Sequence, residues 1–308
     1  MWGEKVQQST LNKIIDKLNA TSGICISNKN VQDFNERCCI MEDVCGVKFV
    51  VKKMPEYYQE VQYKFLKKIY IEANCVMKPI ILHKENNENY IVYVYCTGKT
   101  ADSFIGNRIE LAKVSKEIAK AIKMLHSIYC QDVFDYNIEA EIDRHINFLT
   151  KNKIDFKAKK DFIFALKNIE LKNIQYGFTH MDLHLRNIVI NSDYKAIFID
   201  YDNISISDIR RDFVYAVAMH EREENDLWYL VLQEYFNYNI SDAFWNDMYY
   251  YTIIHLFRMI EQEFKNGNLD SMNFLANSLY KNYRGLRTVI PKWIEERNSK
   301  YEKREFDF

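Results

Sequence analysis

Apolar residues recur at helical spacing in TLNKIIDKLN (Leu11, Ile14, Ile15, Leu18), which predicts an amphipathic helix near the start of the chain. Three short β-rich runs follow, GICIS, RCCIME and VKFVVKK, separated by polar stretches in the manner of an antiparallel meander. YYQEVQYKFLKKIY returns to helical spacing, and KPIILHKENNENYIVYVYC reads as two strands around the polar turn KENNEN. Residues 1–96 therefore predict a small antiparallel sheet with one or two helices. Beyond CTGKT the style changes: from ELAKVSKEIAKAIKMLHSI onward, residues 97–308 are mostly helical. A sheet-rich lobe joined by a short connector to a helix-rich lobe predicts an α+β, bilobal chain with a ligand-binding cleft between the lobes.

One β-rich interruption breaks the helical part, FTHMDLHLRNIVINSDYKAIFIDYDN at 178–203. NIVI and AIFI flank NSDYK, so the segment predicts a hairpin. That hairpin brings Asn187, at the start of its first strand, near Asp200, at the end of its second. Asp182 precedes Asn187 by five residues, on the loop entering the hairpin. An amide and two carboxylates at one end of a ribbon are the oxygen donors that suit Mg²⁺, which one or two carboxylates and substrate phosphates usually hold.

Composition narrows the class. The 308 residues include 22 Tyr and 19 Phe but only 8 Gly and 3 Pro, a balance that favours a compact, helix-rich chain over a disordered one. A net charge of −1 gives no general attraction to nucleic acid or anionic membrane. The seven cysteines form no C-x-x-C pair and read as small buried residues in a reducing compartment. No basic-then-apolar leader opens the sequence, and no apolar run approaches the ~20 residues of a membrane span. A cytoplasmic location is the expectation.

The spacing H-x-D-L-H-x-x-N-I followed by FIDYDN resembles the aminoglycoside phosphotransferase and choline kinase family of kinase-like small-molecule phosphotransferases. IKMLHSI resembles the end of the long helix before that family's catalytic loop. IRRDFVYAV resembles its later acid-bearing segment, where Asp212 would help hold the loop. VKFVVKKMPEYYQEVQYKFL resembles its nucleotide-anchoring strand and helix, and YIVYVYCTG its hinge. The resemblance implies a protein-kinase-like fold, a small antiparallel N-terminal lobe and a larger helical C-terminal lobe, with ATP or GTP and Mg²⁺ as cofactors. It further implies Asp182 as the group that accepts or orients the proton of an attacking hydroxyl. Asn187 and Asp200 become magnesium ligands, Lys52 a phosphate contact paired with Glu60, and the backbone of Tyr95, Cys96 and Thr97 the adenine contact. The other reading of Lys52 and Glu60 is a pair of surface charges. Asp202 stands as a second ligand or a hairpin cap, His184 as a phosphate contact or a loop residue, and Arg186 as a phosphate contact or a solvated charge. His180 is expected to brace the loop. The chain departs from the family in lacking glycine in SNKNVQDFN, the expected phosphate loop, where Ser27, Asn28 and Lys29 would donate instead.

The acceptor is addressed by charge. Residues 220–264 carry nine acids against two arginines, together with Trp228, Trp245 and Tyr249 to Tyr251. Acids such as Glu221, Glu224 and Asp226 beside Trp228 suit a cationic acceptor. An aminoglycoside is the leading expectation, choline or another amino alcohol the second. Solvated helix faces over an aromatic core are the competing reading. A catalytically silent, spore-coat-type structural protein and a protein kinase complete the alternatives. Neither a nucleic-acid nor a membrane partner is expected, and the chain would be a monomer or dimer.

Overall fold

A computed structural model describes every residue except 1–5, 36, 57–59, 105–107, 130–136, 169, 172–173, 219–224 and 303–308. In chain order the elements are α1 (Gln8–Thr21), β1 (Ile26–Asn35), β2 (Cys38–Asp43), β3 (Lys48–Lys53), α2 (Glu60–Glu72), β4 (Pro79–Glu85), β5 (Glu88–Val94) and β6 (Lys99–Thr100). Then come α3 (Arg108–Ser127), α4 (Ile138–Lys151), α5 (Lys159–Lys167), β7 (Tyr176–Thr179), β8 (Ile188–Ile190), β9 (Ala196–Phe198) and β10 (Ser205–Asp208). Five helices finish the chain: α6 (Val214–Ala218), α7 (Asn225–Tyr235), α8 (Asp242–Lys265), α9 (Leu269–Asn282) and α10 (Lys292–Glu302). The chain divides into two compact units, Met1–Ser103 with Arg186–Ser205, and Phe104–Leu185 with Ile206–Phe308.

The first unit is built on an antiparallel sheet of order β1-β2-β3-β5-β4. Strand alternation puts Phe49 and Val51 of β3 on one face, where they join Met41, Tyr90 and Val92. The apolar stripe of α1 (Leu11, Ile14, Ile15, Leu18) covers that face. Lys52 projects from the opposite face. β4 and β5 are joined through Asn86 and Asn87, both with positive φ (50° and 65°), the conformation a two-residue hairpin turn demands and asparagine tolerates.

A second sheet of the same unit, β6-β8-β9, carries the predicted hairpin: Ile188 pairs with Phe198, Val189 with Ile197 and Ile190 with Ala196. Asn191 caps the turn, its side chain accepting from the backbone N–H groups of Asp193 and Lys195 at 3.0 and 2.9 Å. β6, part of the predicted connector, is hydrogen-bonded to β8. Gly98 allows this approach, because a Cβ there would lie 2.3 Å from the Ile190 carbonyl oxygen and 2.7 Å from Val189 Cγ1. Gly98→Ala is expected to destabilise the fold by about 1–3 kcal/mol, to be read as a lowered midpoint in urea unfolding.

In the second unit α8 is the central helix, packed by α4, α5, α6 and α9, while α7 lies on α3. Its buried residues include Met248, Ile253, Phe257 and Ile260, and Trp228 and Val231 of α7 are equally enclosed. α10 docks through Trp293, whose indole N–H donates to the Val217 carbonyl at 3.1 Å. No helix is long and apolar enough to cross a membrane among the described residues. The six described cysteines are all free thiols.

Candidate active site

The first unit gathers four charges around β3. Lys52, 9% exposed, reaches both carboxylates that follow β9: it bonds Asp200 and lies 2.6 Å from Asp202 Oδ1. Arg37, in the turn between β1 and β2, donates to the other oxygen of Asp202 at 2.7 Å and to the Lys53 carbonyl at 3.0 Å. Burial works against the Lys52 charge, but Asp200 and Asp202 outweigh it and hold the ammonium above the usual lysine range. Asp200 adopts a left-handed backbone (φ 65°), a conformation costly for most side chains but more accessible to Asp and Asn. Its carboxylate remains 46% exposed while Asp202 is 12% exposed. The Asn187 carbonyl accepts from the Ile199 N–H at 2.9 Å, which sets Asn187 across from the residue before Asp200 at one end of the hairpin.

Several expectations change at this point. Glu60 does not anchor Lys52: it sits exposed in the first turn of α2, where an acid suits the helix dipole, with Lys64 and Lys84 each 3.8 Å away. SNKNVQDFN is strand, not phosphate loop; β1 runs through it, and the reversal falls between Asn35 and Cys38. Ser27 lies at the far end of β1, roughly 25 Å from that turn at about 3.3 Å per residue. Its side chain, with those of Asn28 and Lys29, is outside the described residues. Asp202, expected as a second ligand or a hairpin cap, bridges Lys52 and Arg37. Tyr95 and Cys96 are half-buried and Thr97 exposed where β5 runs out, with the Tyr95 N–H donating to the Lys48 carbonyl at 2.8 Å. Arg186 is solvated, its Nε 4.0 Å from Asp102.

The loop bearing Asp182 belongs to the second unit and is braced by one buried acid. Asp212 accepts from the backbone N–H groups of His180 and Met181 at 2.9 and 2.8 Å. His126, at the end of α3, contributes Nε2 at 3.1 Å from Asp212 and keeps Nδ1 2.8 Å from the Tyr235 hydroxyl. The Asp212 brace stands where the sequence reading expected it, and the bond His180 gives it is made by its backbone N–H. Met181 takes the left-handed conformation (φ 63°) that turns the loop. The Asp182 carboxylate accepts the Tyr215 hydroxyl, and burial, reinforced by Asp182, pushes that phenol well above its ordinary range. The His184 ring packs edge-on against Tyr215 at 5.6 Å.

Tyr215, Met181, Arg211, Arg258, His255 and Glu141 line a recess whose enclosed part, ≈ 20 Å³, has room for about one water. Burial, with help from Arg258 and Arg211, pushes the His255 imidazole down to about 3. The folded ring therefore refuses a proton that the unfolded chain accepts below pH 6.5. Stability contributed by this group is present above that pH and declines as the pH falls from 6.5 toward 3. Urea unfolding at pH 7.5 and pH 5 should show a smaller acid loss in His255→Asn than in the native chain.

The predicted acceptor residues fare differently. Trp228 is 1% exposed, inside the core between α7 and its neighbours. Asp226 is committed to the tail, bonding Arg297 and lying 2.8 Å from Lys300. Both are thus withdrawn from acceptor binding, since apolar packing claims one and cations of α10 neutralise the other. Glu221 and Glu224 fall outside the described residues. Sequence patterning missed Arg37, Tyr215 and Arg258, which sit singly among residues of other kinds.

Comparison with known proteins places the fold. Among curated proteins no relative matches. By structure the chain is similar to an aminoglycoside phosphotransferase from Alicyclobacillus acidocaldarius (11% identity, 87% of this chain and 93% of that one, TM-score 0.57). It is similar to choline kinase LicA from Streptococcus pneumoniae (13% identity, 88% and 99%, TM-score 0.57). A spectinomycin phosphotransferase in complex with ADP and spectinomycin is also alike (14% identity, 88% and 94%, TM-score 0.59). At such identities the likeness speaks for the fold, α+β and kinase-like. The family model described as the APH phosphotransferase enzyme family matches residues 48–244, nearly two thirds of the sequence, and the chain belongs to that family.

Proposed function

We propose that the protein transfers the γ-phosphate of a nucleoside triphosphate, with Mg²⁺, to a hydroxyl of a small molecule. The observation that carries this reading is the cluster of Lys52, Asp200 and Asp202 beside Asn187 at the hairpin end. Phosphoryl transfer asks for alignment and charge neutralisation more than covalent chemistry, and a buried lysine beside the half-exposed Asp200 carboxylate provides for both.

The donors suit magnesium. Asp200 and Asn187 offer a carboxylate and an amide oxygen, and no group of three or more His, Cys, Asp or Glu side chains forms a cage among the described residues. A small ion that keeps waters and takes phosphate oxygens fits such a partial set. When bound, the metal would neutralise charge on the phosphates. Lys52 positions the nucleotide, its ammonium kept charged by the two acids. Asp182, held by the Tyr215 hydroxyl and the loop brace, orients the acceptor hydroxyl and receives its proton.

The acceptor we favour is an aminoglycoside, supported by the structural relatives named for that class; an amino alcohol follows, supported by the choline kinase likeness. Neither Asp226 nor Trp228 adds to this preference. ATP and GTP consumption with Mg²⁺ across a panel of aminoglycosides, choline and amino alcohols tests the reading. Turnover with one class identifies the acceptor; nucleotide binding without turnover on any would favour a silent, structural relative.

A further inference from the structure

From the register of the first sheet we infer that Arg37 and Lys52, spaced by Asp202, form a paired cation clamp for the nucleotide polyphosphate and replace a glycine-rich loop. The inference rests on the nucleotide-dependent reading above and deepens it. Cys38 of β2 lies directly across from Lys52 of β3, so the β1–β2 turn is level with the lysine. Arg37 occupies that turn. Its guanidinium is held from two sides, by the Lys53 carbonyl and by Asp202, yet its side chain stays 39% exposed. A cation fixed in place but open to solvent is prepared for a ligand, not merely satisfied.

Asp202 sets the spacing. One carboxylate oxygen takes Lys52 at 2.6 Å and the other Arg37 at 2.7 Å, so two cationic heads stand on either side of one acid. Asp200 and Asp202 balance Lys52 and Arg37 in charge. If Asp200 turns to a metal, Lys52 and Arg37 keep Asp202 between them as a pair of cationic heads for phosphate oxygens. The planar fork of arginine matches phosphate oxygens two at a time and supplies donors that a loop of backbone amides would otherwise give. A glycine loop is needed where backbone must approach phosphate; a side chain reaching from an ordinary tight turn has no such need. The neighbouring Cys38 thiol, raised chiefly by burial and opposed by Lys52, stays neutral at ordinary pH and adds no competing negative charge.

Calorimetry and kinetics on the full chain test this with Mg-ATP, Mg-ADP and adenosine as probes. Arg37→Ala is expected to weaken Mg-ATP and Mg-ADP by about tenfold or more, the scale of a lost charge-assisted hydrogen bond, with adenosine affinity unchanged. KM for ATP should rise while KM for the acceptor holds, and Arg37→Lys should recover part of the loss. Native-like ATP affinity in Arg37→Ala, or equal loss of ATP and adenosine with a lowered melting temperature in both variants, would overturn the clamp and leave only a structural brace. A native chain that binds no nucleotide would overturn the phosphotransferase reading and the clamp together. Binding by the native chain with Arg37→Ala unaffected would remove the clamp alone.

Discussion

Asp182→Asn is expected to lower kcat by about 10²–10⁴-fold, the range a positioned acid–base group supplies, while nucleotide affinity and melting temperature stay near native. Asparagine keeps the size and one oxygen for the Tyr215 hydroxyl but removes the charge that receives a proton. The loop itself should survive the change. Its brace is Asp212, which accepts two backbone N–H groups and the His126 ring, and none of those bonds involves the Asp182 side chain. Single-turnover kinetics separates the two effects: a slow chemical step with normal binding supports the role, and native turnover removes it.

Asp200→Ala is expected to act on binding itself. Two consequences combine, because the substitution removes a carboxylate proposed for the metal and strips Lys52 of one of its two counter-charges. Mg-ATP affinity should fall by at least about tenfold, the scale of a lost charged partner, and metal dependence should weaken with it. The left-handed backbone at 200 complicates an alanine, since alanine accepts φ near 65° poorly. Asp200→Asn avoids this, keeping the backbone preference while neutralising the charge. Calorimetric titration of both variants, with and without Mg²⁺, gives the check; unchanged affinity in Asp200→Asn would exclude metal ligation by this residue.

Local pattern read the hairpin well, because NIVI, NSDYK and AIFI each carry their own signal and a two-strand register follows from the turn between them. The helical stripe of α1 and the β3 run were equally legible. The chain from Ile26 to Asn35 was not. Its asparagines and aspartate read as loop, yet β1 is an edge strand paired only with β2, where polar side chains are tolerated. That one shift moved the β1–β2 turn from SNKNVQDFN (27–35) to Arg37 and took Ser27 away from the site. Partner choice was the other blind spot. Lys52 finds its carboxylates 148 and 150 residues later, beyond the reach of any periodicity, while Glu60, close in sequence, is satisfied by lysines nearer to hand. Asp226 was similarly claimed by α10, a segment whose sequence shows only mixed charge.

The absence of a side chain at position 98 governs how this chain tolerates change in length. β6 is stitched to the strand that begins just after Asn187, so the short link out of the first sheet and the hairpin share one hydrogen-bonded ladder. An inserted residue between Cys96 and Thr100 would drag the hairpin out of register, whereas the Asn86–Asn87 reversal at the other end of β5 offers free space for a tag or graft.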